Sequence, residues 1–284
     1  EHPWFIESRD NKNSPKRDWY IWRDGCEPTA EKPTCDPNNW ESIFHGSAWE
    51  YDKKTAQYYL HLFSKKQPDL NWENPEVKQT LFKMIYWWLE RGIDGFRVDA
   101  ISHIQKQPGL PSLPNPKGEK YVSSFDYHMN VAGIEKHLHE LKEQAFDPFN
   151  IVTVGEANGV TADNALLWVA EATEHDQGGV FNMIFQFEHM KLWSEEQSNV
   201  PLDLVEFKRI LSRWQDALEG KGWNALYLEN HDQARSIDTF ADPTSRYASA
   251  TALASCYFLM KGTPFIYQGQ EIGMVNHQFT SLDE

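Results

Sequence analysis

The chain has 284 residues, 40% of them apolar and 24% charged, with a formal net charge of −15. That length suffices for a sizeable core and one or two domains. The acidic balance argues against nucleic acid or an anionic membrane surface as main partner, since both select for lysine and arginine excess, and it is compatible with a neutral ligand.

Aromatic residues reach 14%, with 12 tryptophans. They suit a large core, and flat rings also stack on pyranose faces. No run of ~20 uncharged apolar residues reads as a membrane span. The first residues, EHPWFIESRD, have neither a signal-peptide pattern nor the look of a natural start. Cys26, Cys35 and Cys256 are too few and too scattered for a disulfide framework. Cys26 and Cys35 could bridge within their loop, but structural or free thiols are the favoured expectation.

Residues 1–66 read as irregular, rich in Pro, Asn, Asp and Lys, with no helical period. Strand-like runs stand at AWEYD and AQYYLHLF, so a loop-rich subdomain with a small sheet is expected. At QPDLNWENPEV the texture changes. Asn74 suits an N-cap and Pro75 a first helical position. Val77, Leu81, Met84, Ile85, Trp88 and Leu89 then recur at helical spacing, and Gly92 can close the helix.

A strand through DGFRVDA follows, and the helix–strand unit repeats. A helix over 133–146 leads to NIVTVGE, and VFNMIFQF reads as a strand. Leu204, Phe207, Ile210, Leu211, Trp214 and Leu218 mark a helix ended by Gly220 or Gly222. WNALYLENHD is a strand, and a helix over 245–261 leads to TPFIYQG. Apolar strands alternating with amphipathic helices predict an α/β fold, a parallel sheet covered by helices.

Asp99, Glu156 and Asp232 each end a predicted parallel strand. In an α/β barrel such ends converge on one face, where active sites form. Arg97 and Asp99 lie two apart and share a face, so the guanidinium can hold the carboxylate ionised and oriented. An Arg–Asp pair alone is often only a satisfied ion pair, and a lone acid after a strand can be a helix cap. Three acids at three strand–helix junctions repel one another, a cost commonly tolerated where chemistry is done. Glycoside hydrolysis fits: one carboxylate attacks the anomeric carbon while a protonated one, its pKa raised, serves the leaving oxygen. No nucleophile elbow, phosphate loop or dinucleotide fingerprint competes.

DGFRVDAIS, VGEAN and LENHDQ resemble, in order and spacing, the second, third and fourth motif regions of the α-amylase superfamily, glycoside hydrolase family 13. QPDLN, residues 67–71, is similar to the additional motif of its oligo-1,6-glucosidase and α-glucosidase branch, and GTPFIYQGQEIGM resembles the eighth-strand segment. The resemblance implies a partial (β/α)8 barrel, about strands four to eight, over residues 67–284, with 1–66 as a loop-rich inserted subdomain after the third strand. It implies Asp99 as nucleophile, Glu156 as general acid then base, and Asp232 as the group that grips the sugar hydroxyls and favours the distorted ring. Arg97 would support the nucleophile and His231 would hydrogen-bond the sugar. The mechanism would be retaining, with nucleophile and acid about 5–5.5 Å apart. Phe44 and Phe63 match aromatics of the pocket wall, plain core packing being the other reading.

Ala100 after the nucleophile, and Asn158 in GEAN, look like small-substrate enzymes of the maltose type. The expected activity is therefore α-1,4-glucosidase on maltose and short malto-oligosaccharides. Oligo-1,6-glucosidase, sucrose isomerase and trehalose-6-phosphate hydrolase are the rivals, and a catalytically dead interaction module is the rival of another class. The partner is a small sugar, with no nucleic acid, no membrane and no cofactor. A calcium or magnesium ion of some relatives would lie in a loop after the first strand, outside this chain. The family's first motif is not seen, so the chain is expected to be an internal piece, inactive and aggregation-prone alone. A cytoplasmic location is the family's habit.

Overall fold

The structure is a computed structural model that describes residues 2–27, 35–173, 178–192, 202–277, 279 and 281. In chain order the strands are β1 (Trp22–Arg23), β2 (Trp40–Glu41), β3 (Trp49–Asp52), β4 (Gln57–Leu60), β5 (Gly95–Val98), β6 (Val122–Ser123), β7 (Val152–Glu156), β8 (Met183–Phe185), β9 (Ala225–Leu226) and β10 (Thr263–Pro264). The helices are α1 (Pro3–Asp10), α2 (Pro75–Leu89), α3 (Phe125–His128), α4 (Ile134–Leu141), α5 (Leu166–Val169), α6 (Leu204–Leu218), α7 (Ser236–Phe240) and α8 (Arg246–Phe258). The chain divides into two compact units, Glu1–Asp94 with Ser102–Asn150, and Gly95–Ile101 with Ile151–Glu284. The first thus takes in α2 and the segment up to Asn150, besides the region 1–66.

In the first unit β1, β4 and β3 form an antiparallel sheet in that order, and β2 pairs in parallel with β6. Trp40, Ala48, Trp49, Tyr58, Leu60 and Leu62 form one buried cluster, and Phe5, Trp19, Tyr20, Trp22, Tyr59 and Val77 another. The tryptophans of this region are therefore largely core. The QPDLN segment works as a stitch. Asp69, partly buried, pairs with the buried Lys106, its N–H donates to the Leu60 carbonyl at 2.9 Å, and the Asn71 N–H donates to the Trp19 carbonyl at 2.9 Å.

Three expectations need correction here. Residues 3–10 are helical although no apolar period marks them. Only Phe5 and Ser8 are buried, so there is no stripe to read; the helix starts because Pro3 opens it and the His2 imidazole accepts the Trp4 N–H at 3.2 Å. Cys26 and Cys35 are joined in a disulfide, which the loop permits by bringing their Cα atoms to 5.2 Å. Helix α2 is capped as read, the Asn74 side chain accepting the Glu76 and Val77 N–H groups at 2.9 and 3.4 Å. Its buried face, however, is Val77, Lys78, Phe82 and Leu89, while Met84 and Trp88 are 44% exposed. Lys78 rotates the stripe. Its ammonium pairs with Glu140 of α4, so a position that reads as polar goes inside.

The second unit holds the strands predicted to be parallel. β5, β7 and β8 are hydrogen-bonded in that order, and β9 pairs with β10, every pairing parallel. Strand ends are shorter than their apolar runs: WNALYLENHD contributes only Ala225–Leu226 to a ladder. Val154, Met183 and Ala225, one each from β7, β8 and β9, pack together, flanked by Phe185 and Phe265. Close strand approach explains Gly95: at φ 153° a Cβ there would overlap the Val152 carbonyl. Helix α6 follows its predicted stripe, with Phe207, Ile210, Leu211, Trp214 and Leu218 buried; Leu204 is exposed. Asp203 caps it by accepting the Val205 and Glu206 N–H groups at 3.1 and 2.9 Å. No described helix is long and apolar enough to cross a membrane.

Candidate active site

Parallel register places two of the three acids side by side. Arg97 pairs with Val154 and Val98 with Gly155. Position 99, the next residue beyond β5, therefore comes level with Glu156, the last of β7, on the face that Arg97 also occupies. The Arg97 guanidinium touches both carboxylates: Nη1 donates to Asp99 Oδ1, and Nη2 lies 3.1 Å from Glu156 Oε2. The Ala100 N–H also donates to Glu156 Oε2, at 2.8 Å. Ala100 can aim it there because its backbone is left-handed, φ 46°. Any β-branched side chain would be strained in that conformation.

The two carboxyls differ in environment. The Glu156 side chain is 16% exposed and that of Asp99 75%. Burial raises the Glu156 pKa above the usual carboxylate value, with the Asp99 charge adding to the rise; the Ala100 N–H and Arg97 offset only part of it. For Asp99 burial also pushes upward, but its hydrogen bonds from Arg97 and Glu156, with the charges of Arg97 and His231, outweigh it and bring the pKa below the usual value. Neighbouring carboxyls pushed apart in this way supply one proton donor and one ionised nucleophile at the same pH.

Asp232 and His231 stand on the loop after β9. His231 Nε2 lies 3.1 Å from Asp232 Oδ2, and both side chains are more than half exposed. The His231 charge makes a small lowering contribution to the Asp99 pKa. Asn158 occupies the turn after β7, closed by the Val160 N–H donating to the Ala157 carbonyl at 3.2 Å. Phe44 and Phe63 lie in the other unit. They meet edge to face at 5.7 Å; Phe63 packs against the Trp40–Leu62 cluster, whereas Phe44 is 63% exposed and so is no core residue. Among the described residues no group of three or more His, Cys, Asp or Glu side chains could hold a metal ion.

Sequence reasoning missed four contributors. The Ala100 amide is a backbone donor and leaves no trace in residue type. Tyr227, buried, donates its hydroxyl to the Gln186 carbonyl at 2.7 Å, and burial, with the Glu156 charge adding, drives its pKa far up. Glu229 and Arg235 flank the His231–Asp232 pair and bond each other at 2.8 Å. Their symmetric placement, three residues either side of Asp232, was the signal available.

Parallel strands that end on arginine-bridged carboxylates define an α/β scaffold carrying an acidic centre. The family described as alpha amylase, catalytic domain, matches residues 1–283, and the chain belongs to it. The chain is 60% identical over 285 residues to the probable oligo-1,6-glucosidase 3 of Bacillus subtilis (strain 168), covering all of this chain and 49% of that protein. It is 48% identical over 288 residues to the oligo-1,6-glucosidase of Parageobacillus thermoglucosidasius, with the same coverage. A crystal structure of the Bacillus licheniformis trehalose-6-phosphate hydrolase superposes with a TM-score of 0.85 at 34% identity, over 100% of this chain and 49% of that one. The chain thus spans about half the length of the relatives it matches.

Proposed function

We propose that this chain carries the catalytic carboxylates of a retaining α-glucosidase that releases glucose from short α-glucosides, α-1,6-linked ones foremost. In this reading residues 67–284 supply barrel strands four to eight and 1–66 the inserted subdomain. Asp99 attacks the anomeric carbon as Glu156 gives its proton to the leaving oxygen. A glycosyl ester on Asp99 results. Glu156, now ionised, takes a proton from water, and the water oxygen displaces Asp99 with net retention. Asp232 and His231 hold sugar hydroxyls, and Asp232 favours the flattened ring of the transition state.

The observation that carries the reading is the single guanidinium shared by Asp99 and Glu156. One planar fork can bridge two carboxyls only when they lie a few ångströms apart. That favours a retaining geometry over the wider inverting one of about 6.5–9.5 Å.

The α-1,6 preference rests on the 60% and 48% identity to proteins named oligo-1,6-glucosidases. The expected α-1,4 preference rested on Ala100 and Asn158. Ala100 also has a backbone reason to be small, its positive φ, which weakens it as a linkage marker. It still leaves room beside the leaving sugar, so α-1,4 cleavage is the second reading.

Measured on the full-length protein, kcat/KM should be higher for isomaltose than for maltose, sucrose or trehalose 6-phosphate. A tenfold preference for maltose would establish the second reading instead. Glu156→Gln should lower kcat by about 10³ or more while the fold persists, since general acid–base groups contribute about 10²–10⁴. Undiminished turnover in that variant would remove Glu156 from the mechanism.

A further inference from the structure

His231 and Asp232 sit in the middle of a loop whose two ends are tied to one carboxylate. The Glu229 side chain is 1% exposed. Its Oε1 accepts from Arg235 Nη1 at 2.8 Å, and its Oε2 accepts from both the N–H and the hydroxyl of Ser236 at 2.6 Å. Arg235 carries the tie onward to the segment after β10. Its Nη1 also donates to the Gln268 carbonyl at 2.9 Å, its guanidinium lies 4.6 Å from the Tyr267 ring centroid, and its Nη2 is 3.7 Å from Met274 Sδ. The Arg235 backbone N–H donates to Asn276 Oδ1 at 2.9 Å. Inside the loop, Asn230 Oδ1 accepts the Asp232 N–H at 2.8 Å.

Taking a carboxylate and a guanidinium out of water is expensive, and an apolar pair of similar volume often serves stability as well. Stability alone is therefore a poor reason for this pair. What apolar packing cannot supply is directional bonding from one side chain to two backbone segments and the loop's far end.

We propose that Glu229 and Arg235 are positioning residues: their largely buried pair sets the root of the loop so that Asp232 and His231 hold their place on it. The inference rests on the catalytic reading given above. It adds that the transition-state contact made by Asp232 depends on a clamp that touches no substrate.

The test uses the full-length protein and p-nitrophenyl α-glucoside. The variants are Glu229→Gln, Arg235→Met and Arg235→Lys, with Asp232→Asn as reference, and circular dichroism confirms that each is folded at the assay temperature. Misplacing a catalytic group by ~1 Å costs up to about 10²-fold, so Glu229→Gln and Arg235→Met should lose roughly 10–100-fold in kcat with KM changed less than about threefold. Binding of a cationic iminosugar that mimics the transition state should weaken in parallel, while binding of glucose should weaken much less. Arg235→Lys keeps the charge against Glu229 but loses the fork to Gln268, and should recover part of the loss. If Arg235→Met or Glu229→Gln fails to fold, Arg235→Lys decides: lowered kcat at unchanged KM supports the clamp, and wild-type kinetics overturns it. Wild-type kcat in folded Glu229→Gln, or a loss confined to KM, also overturns it. Full turnover in Asp232→Asn would instead sink the catalytic reading itself, and the clamp would fall with it.

Discussion

Arg97 is the residue on which the site's electrostatics turn. Its hydrogen bond and charge lower the pKa of Asp99, and its charge offsets part of the rise that burial gives Glu156. In the proposed mechanism Asp99 is ionised to attack and Glu156 protonated to donate, so the acidic limb of kcat/KM would report the first and the basic limb the second. Replacing Arg97 by Met removes a charge that favours ionisation of both groups, so both limbs should move to higher pH, with kcat falling as well. A pH profile measured on the wild type and variant checks this; limbs that stay in place would show that Arg97 only packs. Asp99, Glu156 and Asp232 were legible as candidates because each closes an apolar run. The Ala100 amide was not, since every residue carries one and only the backbone angle aims it.

Helices and turns carry the next set of expectations. Phe82, not Met84, is the inward residue of α2. Phe82→Ala should therefore cost ~3–5 kcal/mol, and Met84→Ala well under ~1 kcal/mol, by chemical denaturation. The opposite order would restore the stripe read from periodicity. In the β3–β4 turn Asp52 accepts the Thr55 N–H and hydroxyl at 3.0 and 2.7 Å and Arg9 Nε at 2.8 Å. Burial alone would raise its pKa, but these partners outweigh burial and lower it. A lowered folded-state pKa contributes stability above the unfolded value of about 3.9, and that contribution is lost as pH falls through the folded value. Asp52→Asn should cost ~1–3 kcal/mol at pH 7, the penalty shrinking at pH 3; a penalty equal at both pH values would mean the charge is irrelevant. Helix α6 was legible because its stripe is buried from Phe207 to Leu218, and α1 was not because a single buried aromatic makes no period.

At the scale of the whole chain the net charge of −15 bears on the proposed substrate. A neutral glucoside feels little of that field, so its KM should change less than about twofold between low salt and 0.5 M NaCl. A phosphorylated sugar would be repelled, and its KM should fall as salt screens the field. A steep salt dependence with a neutral sugar would mean that the charged surface reaches the site in a way the geometry does not suggest.

Sequence by itself determined the class of fold, the repeat of helix and parallel strand, and two of the three acids at strand ends, Asp99 and Glu156, because burial periodicity and strand termination are written in residue type along a few consecutive positions; Asp232 instead lies on the loop after β9. Tertiary structure alone decided that one guanidinium bridges Asp99 and Glu156, that Ala100 turns its amide onto the acid, and that Glu229 and Arg235 anchor the loop of Asp232. Those contacts depend on strand register, on one left-handed backbone angle and on side chains that meet across a folded loop. None of these leaves a local pattern in the chain, since each is set by packing between segments distant in sequence.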